Sequence, residues 1–439
     1  MVRFAFGLVG AAFVLRLVLV FLPELGRDEA AYLYWSHHPR LDYAPLLQLQ
    51  IFLMRLVSDE PWFLRLSQVV ISGFTVFLMG QWMRARDRVP CTSVAALATV
   101  PWLVFAGGIL HPDGLLVLGL MLFALGAESR KPWTTAAGAI VCAGAKLTGF
   151  VPAIVALVWL FRRRSWGPFA LVLAGVVAFA LVLRPETLAA ARQFGRVEHG
   201  VLFRILILLL EMALIGGVLI AVPRTRSGPA GWTGILLVSG FGIAAVFAGQ
   251  VKANWILPGL LLLWSTAVSR RVLLGFAAVG LVLSGLMVVG YAMPSIARSA
   301  EARLARAGLL PEYAELAGRR ESLVASGRSW ADYLAGFHGR VDWPDLPFPP
   351  DAIVSDDYGL ACRIALECPD RVPVVVVPGD PLFDREPDRA LGRQLMVAVR
   401  NRLDHASTVI WEGTMAHPVT GDPISLRLVE GADPGPESR

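Results

Sequence analysis

Long apolar runs alternate with short polar segments over the first two thirds of the chain. The first run covers residues 4–22, and the others lie at 62–82, 92–110, 114–128, 133–148, 149–161, 167–183, 203–222, 231–249, 254–268 and 272–293. A helix that crosses a bilayer needs about 20 apolar residues, and several runs are shorter, so the expected number of spans is about eleven. Because no small-residue cleavage site follows the first run, we expect a retained helix and not a removable signal peptide. The pattern predicts a polytopic α-helical membrane domain over residues 1–293.

Two regions depart from this pattern. Segment 23–61 is polar and rich in aromatic residues, which is typical of an interfacial loop with short amphipathic helices. Residues 294–439 predict a soluble α/β domain with a helix over 298–336, strands at 352–355 and 372–377, and further helix and strand from 397 to 429. A helix over 358–366 lies between the two strands. Neither a glycine-rich phosphate loop nor a nucleophile elbow is present in this domain.

Charge gives the membrane domain an orientation. The chain is 56% hydrophobic and 17% charged, with a net charge of +6. Every second loop between apolar runs is basic: Arg84, Arg86 and Arg88; Arg130 and Lys131; Arg162, Arg163 and Arg164; Arg224 and Arg226; Arg270 and Arg271. Cytoplasmic loops carry such an excess, so the N-terminus is expected in the cytoplasm and the C-terminal domain outside. Basic loops facing an anionic leaflet also explain the positive charge, and we expect membrane lipids and no nucleic acid as partners.

The outward-facing loops hold the polar residues that suit chemistry. Asp28 and Glu29 follow the first run, where they could cap the next helix at its N-terminus or supply a general base at the membrane interface. Only three of the 40 basic residues are lysines, at 131, 146 and 252. Lys146 and Lys252 both lie at outward helix ends, where each could either snorkel to the interface or balance the charge of a phosphate oxygen.

Several motifs occur in one order along these outer loops. They are Asp28-Glu29-Ala30 with Tyr32 and Trp35, Trp62–Ser67 with Arg65, His111-Pro112-Asp113, Ala145–Gly149, Lys252-Ala253-Asn254-Trp255 with Pro258, and Ser355–Ala361 in the tail. This series resembles membrane glycosyltransferases of the GT-C superfamily that use polyprenyl-phosphate sugars, a group that includes protein O-mannosyltransferases and lipid A aminoarabinose transferases. The stretch Leu41–Leu46 lacks the His and one Pro of the family's Asp-His-Pro-Pro-Leu element, which leaves the identity of the acceptor open.

The resemblance implies an enzyme of the bacterial inner membrane that moves a sugar from a polyprenyl-phosphate carrier to a lipid, glycan or protein acceptor on the outer side. By this resemblance Asp28 is the general base of an inverting displacement, and Glu29 orients either Asp28 or the acceptor. The donor phosphate would be bound by Lys146, Lys252 and Arg65, and the substrates by Tyr32, Trp35, His111, Asp113, Asn254 and Trp255. No cofactor and no metal are expected.

Other interpretations remain open at this point. A transporter or lipid flippase would need polar residues across the helices, and runs 114–128, 231–249 and 272–293 contain no charge except Glu128. A relative without catalysis, acting as a scaffold, is a third possibility. Arg65 could be an interfacial arginine, and the cluster of His37, His38 and Asp42 fits interfacial hydrogen bonding better than a metal site. Pairing of Cys362 with Cys368 is also undecided.

Overall fold

The structure, a computed structural model, divides into two compact units. One contains Met1–Pro23, Pro39–Arg184 and Ala191–Val288, and the other contains Glu24–His38, Pro185–Ala190 and Val289–Arg439. The residues that the structure describes are 1–22, 26–37, 44–86, 90–182, 208–209, 212–216, 219, 228–247, 253–264, 269–293, 346–348, 350–355, 358–367, 374–376, 393–398, 408–416 and 423–430. The predicted helix over 298–336 lies outside these residues. The predicted division at residue 293 stays a prediction.

Helices follow the apolar runs closely. They are α1 (Val2–Val20), α2 (Arg27–His37), α3 (Pro45–Arg55), α4 (Pro61–Arg86), α5 (Pro90–Ala98), α6 (Pro101–Ala106), α7 (Pro112–Glu128), α8 (Pro132–Ala145), α9 (Phe150–Arg162), α10 (Trp166–Val182), α11 (Pro229–Phe247), α12 (Ala253–Leu263) and α13 (Arg270–Ala292). Seven of these begin with proline, which suits the first helical position because its missing N–H would have no intrahelical partner there. Proline spacing therefore explains many of the helix starts.

Three of the described helices are long and apolar enough to cross a membrane. These segments are Val2–Val20, Pro61–Ala85 and Arg270–Gly290. Shorter apolar helices cover Leu147–Arg162, Trp166–Val182, Pro229–Ala244 and Asn254–Leu263. The mostly helical architecture is thus confirmed, and three described helices suit membrane spans by length and composition, whereas the predicted number of spans stays a prediction.

The run at 92–110 forms two helices where a single span is predicted. Helix α5 ends at Ala98 and α6 begins at Pro101. A proline inside a helix removes one backbone hydrogen bond and clashes with the preceding turn, so the chain breaks before Pro101. The break leaves the carbonyl oxygen of Ala98 available to a side chain of another helix.

Helices α7 and α8 pack with their backbones close together. A Cβ atom on Gly119 would lie 2.7 Å from the sulfur of Cys142, and one on Gly138 would clash with the backbone nitrogen of Phe123. Small residues at such contacts allow membrane helices to approach closely. This packing brings the start of α7 next to the end of α8, where the candidate site lies.

The second unit contains a five-stranded sheet. Its strands are β1 (Ala352–Ser355), β2 (Val374–Val376), β3 (Arg393–Ala398), β4 (Thr408–Ala416) and β5 (Pro423–Glu430), in the order β2-β1-β3-β5-β4. Strand β1 is parallel to β2 and β3, while β5 is antiparallel to β3 and β4. Helix α14 (Tyr358–Glu367) connects β1 to β2 and packs against helix α2 of the same unit. The predicted mixture of strands and a helix in the tail is therefore seen.

Candidate active site around Asp113 and Lys146

Asp113 occupies the first turn of α7 and is fully buried. His111 caps this helix, because its Nδ1 accepts a hydrogen bond of 3.2 Å from the backbone N–H of Asp113. Pro112 fills the first helical position, where proline is favoured. A carboxylate near a helix N-terminus is also stabilised by the helix dipole. The sequence His-Pro-Asp thus starts the helix and directs one carboxylate into the helical unit.

Three donors from three other parts of the chain reach the Asp113 carboxylate. Lys146 Nζ donates to Oδ1 at 2.9 Å, Trp102 Nε1 donates to Oδ2 at 2.8 Å, and Asn254 Nδ2 donates to Oδ2 at 3.2 Å. The donors lie on α6, just beyond α8, and in the first turn of α12. Buried polar groups of this kind rigidify a site when every member has partners. Asp113 is therefore the centre of a network that joins four elements.

Lys146 lies at a sharp change of backbone direction. Helix α8 ends at Ala145, Lys146 is extended with φ −163° and ψ 153°, and a short 3₁₀ turn covers Leu147–Gly149. A Cβ atom on Gly149 would clash with the carbonyl oxygen of Cys142, so only glycine permits this return over the last turn of α8. The Lys-Leu-Thr-Gly sequence thereby projects the ammonium onto Asp113 with 8% of the lysine exposed.

The start of α12 contributes Asn254 and Trp255. The amide nitrogen of Asn254 is used by Asp113, while its Oδ1 is buried and has no hydrogen-bond partner among the described residues. Trp255 packs against Phe241 of α11, with ring centroids 5.6 Å apart. Lys252, the second predicted phosphate-binding lysine, lies outside the described residues.

Arg65 connects the start of α4 to the end of α1. Its guanidinium is fully buried and Nη1 donates to the carbonyl oxygen of Leu22 at 2.6 Å. An arginine that merely faces the interface would expose its charge to water. The buried position makes Arg65 part of the interior of the helical unit.

The predicted catalytic loop contributes helix α2 to the second unit. Glu29 is buried, and its Oε2 accepts a hydrogen bond of 2.7 Å from the backbone N–H of Gly26, as a glutamate in a capping box does. Asp28, one residue earlier, is half-buried. The capping interpretation thus holds for Glu29, while the side chain of Asp28 keeps an accessible part.

Aromatic residues fix the other end of α2. The rings of Tyr32 and Trp35 lie 5.7 Å apart, and the hydroxyl oxygen of Tyr34 accepts a hydrogen bond of 2.8 Å from the backbone N–H of Val374 in β2. Tyr32, Tyr34 and Trp35 are all buried. These contacts explain why so many aromatic residues occur in a segment that is otherwise polar.

Trp102 was not indicated as a site residue by its sequence context. A buried indole N–H needs a hydrogen-bond acceptor. The next charged residue along the chain after Trp102 is Asp113, and Trp102 Nε1 donates to it. That pairing was the available signal. Within the described ranges no group of three His, Cys, Asp or Glu side chains converges as a metal site would, and His38 and Asp42 lie outside them. The expectation that no metal is needed stays a prediction.

Comparisons with known proteins give one structural similarity. No protein-family model matches the chain, and no curated protein matches it. Among solved structures, the apo crystal structure of ArnT from Cupriavidus metallidurans is similar over 97% of each chain, with 15% sequence identity and a TM-score of 0.48. A similarity at this level assigns no role to a residue, so the function proposed below rests on the motifs and contacts of the chain itself.

Proposed function

We propose that this protein transfers a sugar from a polyprenyl-phosphate donor to a lipid, glycan or protein acceptor on the outer side of the bacterial inner membrane. The observation that carries the proposal is the buried pair of Lys146 and Asp113. Three further residues of the same motifs help to build it: His111, Asn254 and Gly149, whose lack of a Cβ atom permits the turn after Lys146. The series of motifs supplies the reaction class, and the pair supplies the chemistry that such a reaction needs.

Lys146 would stabilise the departing lipid phosphate. An ammonium has three donors, and the hydrogen bond of Lys146 to Asp113 uses one of them, which leaves two for phosphate oxygens. The charge on those oxygens grows as the bond to the anomeric carbon breaks, and a fixed cation is then more favourable than in the ground state. Lys252 and Arg65 would add further positive charge for the same phosphate.

Asp113 would act as a positioning residue for Lys146. Its carboxylate is fully buried and both oxygens already accept hydrogen bonds, so little capacity remains for direct contact with a sugar. The ion pair with this carboxylate holds the Lys146 ammonium in one position and limits its rotation. This role replaces the direct substrate contact that the motif alone suggested for Asp113, and His111 would support it by starting α7.

Asp28 would be the general base. A single displacement requires a group that accepts the proton of the attacking hydroxyl while the phosphate leaves, and this inverts the anomeric centre. Asp28 retains accessible surface, whereas Glu29 is occupied by the capping contact and would hold the first turn of α2 in place. Asn254, through its Oδ1, and Trp255 would contribute to substrate binding, and the buried Tyr32 and Trp35 would support it by holding α2 in place.

The proposal is tested with membranes that contain the full chain and a lipid-linked sugar donor. Asp28→Asn removes the basic carboxylate with little change in shape and should lower transfer by about 10²-fold or more. Asp59→Asn, at an exposed position paired with Arg55, is the matched control and should leave transfer unchanged. Full activity of Asp28→Asn would refute the base assignment.

The same membranes distinguish the rival functions. A flippase would move the labelled donor across the bilayer without forming a glycosylated product, and a scaffold would bind it without turnover. Mass spectrometry of envelope glycolipids and glycoproteins from cells with and without the gene then identifies the acceptor. Loss of a single glycan type in cells lacking the gene is the expected result.

A further inference from the structure

Arg16 is a buried cation inside the helical unit that the proposed sugar transfer does not use. It lies on α1 and is 1% exposed. Its Nη2 donates to the carbonyl oxygens of Ala98 and Leu103, at 3.0 and 3.2 Å, and its guanidinium lies 5.2 Å from the centre of the Phe13 ring. The break between α5 and α6 supplies these two carbonyl oxygens. Two backbone carbonyl oxygens and one aromatic ring therefore hold the Arg16 guanidinium in place.

Arg16 also lines a small cavity, together with Ala98 and Leu103. Nε and Nη1 are buried and have no hydrogen-bond partner among the described residues. The cavity measures about 20 Å³ and is lined by Arg16, by Ser72 and Thr75 of α4, and by Gly107 and Gly114. A Cβ atom on Gly107 would lie 2.7 Å from Arg16 Nε and 2.5 Å from Ser72 Oγ, so this glycine keeps the space open.

The surroundings of the cavity contain donors and no carboxylate. None of the lining residues is acidic, and in the part of the chain that the structure describes no carboxylate forms an ion pair with Arg16. The hydroxyl of Ser72 can donate, while that of Thr75 is engaged with the carbonyl oxygen of Ile71. A buried charge is unfavourable in such an environment unless a partner balances it.

We propose that this cavity binds a small monovalent anion of chloride size, which neutralises Arg16 and links α1 to α4. The volume exceeds the roughly 10–15 Å³ that one water molecule needs and suits a single-atom ion. Arg16 Nε, Arg16 Nη1 and Ser72 Oγ are the donors to this anion. A water molecule would satisfy some of these donors but would leave the positive charge unbalanced. The site is independent of the proposed sugar transfer.

The test measures thermal unfolding of the full chain in detergent at constant ionic strength. Sodium chloride or bromide is titrated against sodium gluconate, whose anion is too large for the cavity. The unfolding temperature of the wild-type protein should rise with halide and then saturate. Ser72→Ala should raise the half-saturating concentration by about fivefold, as loss of one hydrogen bond implies.

Arg16→Gln should abolish the halide effect, and Arg163→Gln, which removes an arginine stacked on the Trp159 ring at an exposed position, should retain it. If Arg16→Gln does not fold, anomalous diffraction from wild-type crystals soaked in bromide gives the answer directly, as a peak beside Nε and Nη1. Equal unfolding temperatures in halide and gluconate would overturn the proposal and leave water as the occupant.

Discussion

Lys146 and Arg16 are two buried cations of the same helical unit that are compensated in different ways. Lys146 meets the carboxylate of Asp113, which is itself held by Trp102 and Asn254. Arg16 meets two backbone carbonyl oxygens and an aromatic ring, and its Nε and Nη1 have no hydrogen-bond partner among the described residues. The difference teaches that a buried cation can be held by a carboxylate, as Lys146 is, or by carbonyl oxygens that a helix break exposes, as Arg16 is among the described residues.

Removing the counter-charge of Lys146 is expected to have the largest effect on stability. Asp113→Leu leaves an ammonium, an indole N–H and an amide N–H buried without their acceptor, so the protein should lose about 3–5 kcal/mol of stability. Thermal unfolding in detergent measures this loss. The surface change Asp59→Ala should stay within about 0.5 kcal/mol of wild type. Equal stability of the two variants would show that the network does not hold the helices together.

Arg16→Met tests the other half of the comparison. This change removes the cation as well as two hydrogen bonds to carbonyl oxygens, so no buried charge is left unbalanced. We expect a cost of about 1–2 kcal/mol, clearly below that of Asp113→Leu, when unfolding is measured in gluconate without halide. A cost as large as that of Asp113→Leu would mean that Arg16 has a counter-charge supplied by the protein.

A smaller change separates the members of the Asp113 network. Trp102→Phe keeps an aromatic side chain but removes part of its volume and the indole N–H, which donates to Asp113 at 2.8 Å. A hydrogen bond to a charged group is worth about 1.5–3 kcal/mol, and we expect the lower end because Lys146 and Asn254 still compensate the carboxylate. Trp264→Phe is the control for the lost volume, since Trp264 is also buried and its Nε1 has no hydrogen-bond partner among the described residues, so Trp102→Phe should cost more by about one hydrogen bond.

Glu29 extends the comparison of buried charges to a carboxylate, which accepts a hydrogen bond from a backbone N–H. Glu29→Ala should cost about 1 kcal/mol by removing the capping contact to Gly26, and Glu29→Gln should retain it because the amide oxygen also accepts. Transfer activity of the stable Glu29→Gln variant then shows whether the negative charge matters. Wild-type transfer would assign Glu29 to capping alone, and a decrease would assign it to orienting Asp28.

Much of the helical unit follows from local pattern, whereas the site depends on distant contacts. Apolar runs and prolines predict where helices lie, and the alternation of basic loops predicts that the helix ends with Asp113, Lys146 and Asn254 share one side. The hydrogen bonds among these three side chains confirm that they meet. The occupation of both Asp113 oxygens by three donors could not be predicted, because it depends on side-chain geometry across four elements.

The segment around α2 shows a second contact that the sequence could not predict. Its polar and aromatic composition predicts short interfacial helices, and α2 and α3 are found there. The contact between Tyr34 and Val374 joins residues 340 positions apart, and no local pattern indicates such a partner. The break before Pro101 differs from this contact, because its signal is local: a proline lies in the middle of the run 92–110. The continuous apolar composition of that run nevertheless predicts a single helix.

The measurement that tests the central claim most directly is a double-mutant cycle on sugar transfer with Asp113→Asn and Lys146→Met. Each single change should lower kcat/KM by about 10²-fold, because a fixed cation at the departing phosphate contributes that much. The double variant should be no slower than Lys146→Met, since the two residues act as one unit. Lys131→Met, at an exposed loop position, is the control and should transfer sugar at the wild-type rate. Multiplied losses in the double variant, or full activity of Lys146→Met, would contradict the account.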